Sequence, residues 1–506
     1  MNATQLTDKK ERRIYRLFEI MPGALSWITI IGSIVLSFIR PTWVAVFIIC
    51  FDVYWLIKVS YLAFYLLNAY RKLKENLVVD WLVLCKDKFS TRWKNIYHLV
   101  IIPTYKEDFN ILKPSFRALV ESNYPMKEKM IVVFAYEERD GIEGKKNAEK
   151  IKNLYGQNFN HFLITKHPKN IEGELPGKGS NEAWAAKEAL KIINKKNIPY
   201  ENVILSTLDS DTCVHREFFG CLSYKFLENP KPHNSSYQPV PMFFNNFWQS
   251  PLLMRLIGLN TTFWNMMEQS RPEKLYTFSS HSMSFKTLVD IGFWEKDVVS
   301  EDSRIFWQCF LHFNGDYKTT PLMIPVYMDV VLANTYWKSI KNQYKQQRRW
   351  AYGTENVPYV LFNFMKNKYI PKFKKIIHSF WLIEGFHSWG TNAIIIFMLG
   401  WLPLILGGEK FTQTLLAQNL PYVTQILMTL AMEGMIVSAT VSFLIINIQQ
   451  EKNKKINKKR IFSLIVQWIF LPISTIFLGS FPALDSQTRL MFGKYMGFWV
   501  TEKVRK

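Results

Sequence analysis

Long unbroken apolar runs occupy both ends of the chain, and short apolar runs separated by charged, amphipathic stretches lie between them. Near the start, residues 24–39 and 42–67 are each apolar over a length suited to crossing about 30 Å of hydrocarbon, with Arg40-Pro41 as a tight hairpin on the far side. Near the end, residues 376–406 are too long for one untilted span and contain Glu384 and His387. They are expected to form an interfacial helix up to His387 and a span from about Trp389. Further spans are expected at 422–448 and 461–478, the last interrupted by Pro472. Asp52 and Lys58, within the second run, are spaced to pair or to snorkel.

The middle of the chain, from about Tyr97 to Lys368, alternates in a different way. Buried strands are expected at His98–Ile102, Met130–Ala135, His161–Thr165 and Val203–Leu208. Helices of ten to fifteen residues, at Ile111–Glu121, Gly144–Tyr155 and Asn181–Lys195, separate them. That alternation predicts a largely parallel sheet covered by helices. Ligands of such sheets bind at the carboxyl ends of the strands, where Pro103-Thr-Tyr-Lys-Glu107, Tyr136-Glu-Glu-Arg-Asp140 and Asp209-Ser-Asp211 fall. The aromatic, Met-rich stretch from Pro230 to Lys274 fits a core helix and a helix lying in the membrane interface equally well.

Composition sharpens the picture without changing it. The 506 residues are 48% hydrophobic yet 21% charged, with a mean hydropathy of -0.04. A membrane-anchored protein with a large water-facing domain meets both facts. The formal charge of +22 is concentrated beside the apolar runs, at Lys9, Lys10, Arg12, Arg13 and Arg16, at Arg71, Lys72 and Lys74, and at Lys452–Arg460. This is a positive-inside pattern with a contribution from anionic lipid headgroups, and no nucleic-acid-binding motif accompanies it. The five cysteines are scattered and read as reduced thiols. The chain thus divides into a basic cytosolic segment (1–23), two transmembrane helices (24–68), a cytosolic α/β domain (69–372), an interfacial helix with about three transmembrane segments (373–481) and a basic tail (482–506). Three C-terminal crossings would put that tail outside, against its own basic residues Arg489, Lys494, Lys503, Arg505 and Lys506.

The candidate chemistry starts at Asp209 and Asp211. Alternate residues of an extended segment share a face, so the two carboxylates would aim at one point, although an isolated D-x-D more often simply closes a strand. A hard divalent cation bridging a diphosphate needs only one or two such ligands. Downstream lie Ser300-Glu301-Asp302, before an amphipathic helix, and Gln346-Gln-Arg-Arg349-Trp350, at the end of a basic one. Taken singly these read as helix-start acids and a charged helix face.

The ordered set P-T-Y-x-E, G-K, D-x-D, S-E-D and Q-x-x-R-W between membrane spans resembles the family 2 glycosyltransferases, over about Tyr97 to Tyr352. It is similar in particular to the membrane-integrated branch of cellulose, hyaluronan and mannan synthases and ceramide glucosyltransferase. The resemblance implies a GT-A fold, a Rossmann-like mixed sheet in a cytosolic domain flanked by transmembrane helices, and inverting transfer from a nucleotide sugar. It implies that Tyr105 and Glu107 line the nucleotide pocket and that Asp209 and Asp211 hold Mg2+ or Mn2+ against the diphosphate. Asp302 would be the general base, with Glu301 beside it on the substrate side raising its proton affinity. Gln346 and Arg349 would bind the diphosphate, Trp350 would stack on the acceptor sugar, and Lys178 in Pro176-Gly-Lys-Gly179 would reach the donor. Glu137, with Glu138 behind it, stands where relatives carry an aspartate that reads the nucleobase, leaving a UDP- or GDP-sugar open. His281, in Phe278–Ser284, reads better as a buried polar residue than as an acceptor contact. The expected activity is extension of a polysaccharide, with possible coupling to export, in the cell inner membrane. The alternatives are single-sugar transfer to a lipid acceptor and, in another class, a non-catalytic basic membrane scaffold.

Overall fold

The computed structural model describes residues 2–449, 457–502 and 504–505. Positions 452–456 of the basic run, Lys503 and Lys506 lie outside the described residues.

The apolar runs of the middle segment become strands of one sheet. These are β1 (Tyr97–Thr104), β2 (Met130–Glu137), β3 (His161–His167), β4 (Val203–Thr207), β5 (Cys213–Val214), β6 (Ser235–Phe243), β7 (His281–Ser284) and β8 (Lys318–Met328), in the order β3-β2-β1-β4-β7-β6-β8-β5. The strand period splits the core in two. Leu99 and Ile101 face one way, with Ile131, Val133 and the alanines of the helix Lys178–Lys195; Val100 and Ile102 face the other, with Phe134, Leu112 and Phe116. A strand buried on both faces reads as a continuous apolar run, which is why β1, β2 and β4 are legible in sequence. The first turn of the helix Lys178–Lys195 starts three residues before the expected Asn181, so Lys178 opens it.

The sheet is mixed rather than largely parallel. β3, β2, β1 and β4 are parallel, but β7 runs antiparallel to both β4 and β6, and β6 runs parallel to β8. The stretch from Pro230, expected to be helical, instead supplies the fully buried strand β6 before the helix Leu252–Gln269. Pro239 sits at a register shift between Gln238 and Val240, where the ladder is already irregular. Gln269 closes that gap: its Nε2 donates to the carbonyls of Gln238 (2.7 Å) and Pro239 (2.9 Å), and its Oε1 accepts from Met323 N at 3.1 Å.

Among the described residues, four helices are long and apolar enough to cross a membrane: Lys9–Ile39, Pro41–Asn76, Leu415–Ile446 and Lys458–Met491. Ile28, Phe38, Trp43, Ile57 and Phe64 of the first two are exposed, as lipid-facing side chains are. The span expected from Trp389 is not among the four. Its helix, Lys372–Ile394, passes into a π-helical turn at Ile395–Leu399 and a short helix at Leu402–Leu406 that carries Pro403. Lys58 pairs with Glu384 at 2.6 Å and not with Asp52.

The tail lies on the side of the sheet domain, which it touches directly. Arg505 pairs with Asp329 at 2.7 Å, Val504 N donates to Leu332 O at 3.1 Å, and Lys338 pairs with Glu502 at 2.8 Å. On the far side, a Cβ at Gly407 would lie 2.8 Å from the Cβ of Pro41 in the first hairpin. In a chain whose own cysteines are replaced, single cysteines at Lys150 and Lys494 should therefore react with an impermeant maleimide from one face of sealed vesicles. One at Gln413 should react only from the other; labelling of Lys494 and Gln413 from the same face would refute this topology.

Candidate active site

The Asp209–Asp211 pair lies in the turn after β4, not in the strand itself, so neighbouring side chains rather than the pleat aim its two carboxylates. Asp209 Oδ1 meets Lys178 Nζ at 2.8 Å, its Oδ2 accepts from Ser279 Oγ at 2.6 Å, and its N–H donates to Ser280 Oγ at 3.1 Å. Asp211 is buried, and its Oδ2 accepts the Asp329 N–H at 3.0 Å. Asn245 and Arg505 donate to its carbonyl at 2.9 and 3.3 Å. Between them Ser210 Oγ donates to Glu107 Oε1 at 2.8 Å, tying the end of β1 to the same turn. Among the described residues no three His, Cys, Asp or Glu side chains are grouped to hold a metal ion. A cation on this pair would have to complete its shell with water and substrate oxygens, as Mg2+ commonly does.

Lys178 is the centre of the electrostatics. Its ammonium lies 2.6 Å from Asp302, 2.8 Å from Asp209, and 3.7 Å from both Glu182 and Glu301. Burial works against the cation, but Asp209, Asp302, Glu182 and Glu301 outweigh it and hold its pKa well above the ordinary lysine value. Four carboxylates around one ammonium cannot all be anions, and protons accumulate on the more deeply buried ones. Burial lifts Glu182 to about 8 against the pull of Lys178, with the Thr207 hydroxyl donating to it. Burial, with Asp302 beside it, lifts Glu301 well above the carboxylate range, and among the described residues neither of its oxygens has a hydrogen-bond partner. Asp302 is also raised, by burial first; Lys178 opposes this and Asp209 adds to it.

Glu301 therefore differs from its expected role in two ways. It is 1% exposed and lies behind the site wall rather than on it, because successive residues of a helix point about 100° apart and Asp302 takes the inward position. It is also not the group that raises Asp302: burial does so first, and Asp209 adds to it. The glycines beside Lys178 serve close packing of protein on protein. A Cβ at Gly179 would stand 2.9 Å from Glu301 Cβ, and one at Gly177 would stand 2.7 Å from the ring of Phe498.

At the ends of β1 and β2, the Arg139 guanidinium lies 4.6 Å over the Tyr105 ring and donates from Nε to Glu137 Oε2 at 2.6 Å. Burial raises Glu137, against the opposing Arg139. Glu138 turns outward to Lys166 at 3.0 Å, which leaves Glu137 as the acid on the cavity wall.

The helix Tyr336–Ala351 brings Gln346, Arg349 and Trp350 to one face by its 3.6-residue period. Gln346 accepts from Gln343 Nε2 at 3.2 Å, and Trp350 packs edge-on against Phe278 at 5.7 Å. Arg349 lies 4.7 Å from the Phe498 ring, and its Nε is buried with no hydrogen-bond partner among the described residues. A buried guanidinium donor without an acceptor is costly and suits an anion entering the site.

Tyr105, Glu107, Glu137, Lys178, Asp209, Asp211, Asp302, Gln346, Arg349 and Trp350 all border one cavity of about 1460 Å3. Five further residues were missed in the sequence: Glu182, Ser279, Asp329, Phe498 and Arg505. Asp329 alone left a signal, since it closes the apolar strand β8 as Asp209 follows β4. His281 is buried in β7 opposite Thr207, and burial lowers its pKa to about 4.

A family model described as "Glycosyl transferase family group 2" matches residues 204–452, from within β4 through the Q-x-x-R-W helix and past the third apolar helix. Among solved structures, the crystal structure of S. aureus TarS aligns at 12% identity with a TM-score of 0.30, covering 64% of this chain. The chain spans about half of that protein's length, 55%, and so loose a likeness adds nothing to the family match. No curated protein matches the sequence. A Rossmann-like mixed sheet and helices able to span a membrane at both ends agree with the family match: over residues 204–452 the chain is similar to the family 2 glycosyltransferases.

Proposed function

We propose that this glycosyltransferase extends a polysaccharide by inverting transfer from a nucleotide sugar at a cytosolic face, releasing the chain into a membrane passage. The observation that carries the reading is the cavity. It is continuous from Asp209 and Asp302 to the space between the membrane helices, and Trp350, Trp264, Trp381, Trp55, Trp389 and Trp401 border it in both parts. Flat aromatic faces along a long passage suit a chain of sugar rings better than a single small acceptor. The apolar walls of the upper part favour the second reading, transfer of one sugar to a lipid.

In the proposed reaction Asp302 takes the proton of the acceptor hydroxyl as that oxygen attacks the anomeric carbon, and the nucleoside diphosphate leaves from the opposite side. This requires Lys178 to release Asp302, and a diphosphate beside Asp209 offers the ammonium a replacement partner. Arg349, with Gln346 next to it, supplies donors to the diphosphate. Tyr105, Glu137 and Glu107 form the nucleotide end of the pocket, with Arg139 held against Tyr105 and Glu137. Asp209 and Asp211 would hold Mg2+ or Mn2+, which when bound offsets the negative charge of the leaving group. The cytosolic orientation rests on the basic residues that flank the spans on the domain's side.

Purified enzyme in lipid, given labelled UDP- and GDP-sugars, should yield a ladder of products with one donor; a single organic-soluble product would refute polymer synthesis. Asp302→Asn should lower transfer by roughly 10²–10⁴-fold while leaving nucleoside diphosphate affinity unchanged in calorimetry. Arg349→Ala should show the reverse emphasis, weakening nucleoside diphosphate binding by about 10-fold or more, the scale of a charge-assisted hydrogen bond of about 1.5–3 kcal/mol. Unimpaired transfer in the Asp302 variant would remove it from the reaction.

A further inference from the structure

Within the cavity, between the carboxylates of the sheet domain and the tryptophans of the membrane helices, stands a charged group that the transfer chemistry does not use. Lys58 comes from the helix Pro41–Asn76, Glu384 and Ser388 from the helix Lys372–Ile394, and Lys274 from the loop that leads to Thr277. All four line the cavity. Thr277 in turn donates from Oγ1 to the Asp302 carbonyl at 2.6 Å, so the loop carrying Lys274 is the one that abuts the base.

The hydrogen bonds of Glu384 are lopsided. Its Oε1 accepts from Lys58 Nζ at 2.6 Å, Tyr54 OH at 2.8 Å and Ser388 Oγ at 2.6 Å. Its Oε2 has, among the described residues, only the Lys274 ammonium, 3.9 Å away and beyond hydrogen-bond range. Among the described residues Lys274 Nζ makes no hydrogen bond. Nearby, Arg271 and Glu268 satisfy each other at 3.2 Å. Lys58 and Glu384 are thus locked together, while one carboxylate oxygen and one ammonium remain facing the cavity. Charges placed this close to membrane helices are expensive, and a structural ion pair would saturate both partners.

We propose that Glu384 and Lys274 form a saccharide subsite, which grips neighbouring hydroxyls of the acceptor chain while that chain occupies the passage. An acceptor oxygen and a donor ammonium 3.9 Å apart match a vicinal diol, one hydroxyl donating to Glu384 Oε2 and the next accepting from Lys274. A hydrocarbon tail offers neither group. An anion would meet Glu384 as well as Lys274. A few placed polar groups among aromatic walls fix a ligand's orientation, here that of the chain whose terminal hydroxyl must reach Asp302. The subsite rests on the polysaccharide reading and adds the place where the acceptor is held.

The test uses the full-length enzyme in lipid nanodiscs, with the donor that the unaltered enzyme accepts. The acceptor probe is an oligosaccharide cut from the enzyme's own polymer. Lys274→Met and Glu384→Gln should each raise KM for that oligosaccharide about tenfold and shorten the products, with nucleoside diphosphate affinity unchanged. Lys274→Gln, which keeps a donor group, should regain most of the acceptor affinity, a rescue that a purely structural ion pair would not show. If Glu384→Gln does not fold, the two Lys274 variants carry the test. Unchanged acceptor KM and product length, in variants that bind nucleoside diphosphate normally, would overturn the subsite alone. A single-sugar glycolipid as the only product of the unaltered enzyme would overturn the subsite and the polysaccharide reading together.

Discussion

One buried ammonium keeps the carboxylate of Asp209, which follows β4, beside that of Asp302, in the first turn of the helix Glu301–His312. Without Lys178, Asp209 and Asp302 would repel each other in surroundings that screen charge poorly. The rest of the site follows from seating that cation. The helix Lys178–Lys195 must begin where it does, so that the lysine is in its first turn against the carboxyl end of β4. Gly177 and Gly179 must lack side chains, because Phe498 and Glu301 close over the loop. Burial raises the proton affinity of Glu182 and Glu301, which eases the crowding of four carboxylates around one cation. The site is thus poised with its cation already inside, and an incoming diphosphate exchanges partners instead of bringing charge into an uncompensated pocket.

The sheet provides the rigidity this exchange needs. β4 sits at its centre, with β1 on one side and β7 on the other, so the Asp209 turn is held between Glu107 at the end of β1 and Ser279-Ser280 before β7. The irregular pairing of β6 and β8 is what Gln269 repairs, and from that repair β8 runs on to end at Asp329, whose N–H fixes Asp211. A side chain on a helix beneath the sheet therefore supports a carboxylate at its far edge through two strands.

How much of this was legible in the sequence depended on locality. The strands around Val100, Val132 and Leu205 were legible because they are buried on both faces and read as short apolar runs between polar ends. β6 was not, because Pro239 and Pro241 in an aromatic, Met-rich stretch contradict strand rules, and the bulge that admits them is made by partners far away in sequence. Asp209, Asp211, Asp302 and Arg349 were legible as ordered motifs. Glu182 was not, because a helical glutamate gives no local sign that it will lie fully buried beneath a lysine. Phe498 and Arg505 stood in a basic tail whose side of the membrane was ambiguous, and no local pattern could bring them to the site.

That ambiguity and the electrostatics of the site turn out to be one constraint. Arg505 can reach Asp329 and the Asp211 carbonyl only if the tail returns to the side of the sheet domain. With three crossings after the domain it could not, and Asp329 would be a buried carboxylate deprived of that guanidinium. Residues 372–406 reach the far side, where Gly407 lies against Pro41. The parity is restored at the last apolar run, which begins where Arg255 donates to Ser463 at 2.6 Å and ends where Arg16, ahead of the first span, donates to the Leu490 carbonyl at 2.8 Å. The helix Lys372–Ile394 descends along the passage, where Glu384 and Trp389 both face the cavity. The number of crossings, the partner of Asp329 and the wall of the passage are therefore not separate features, since none of them could change without the other two.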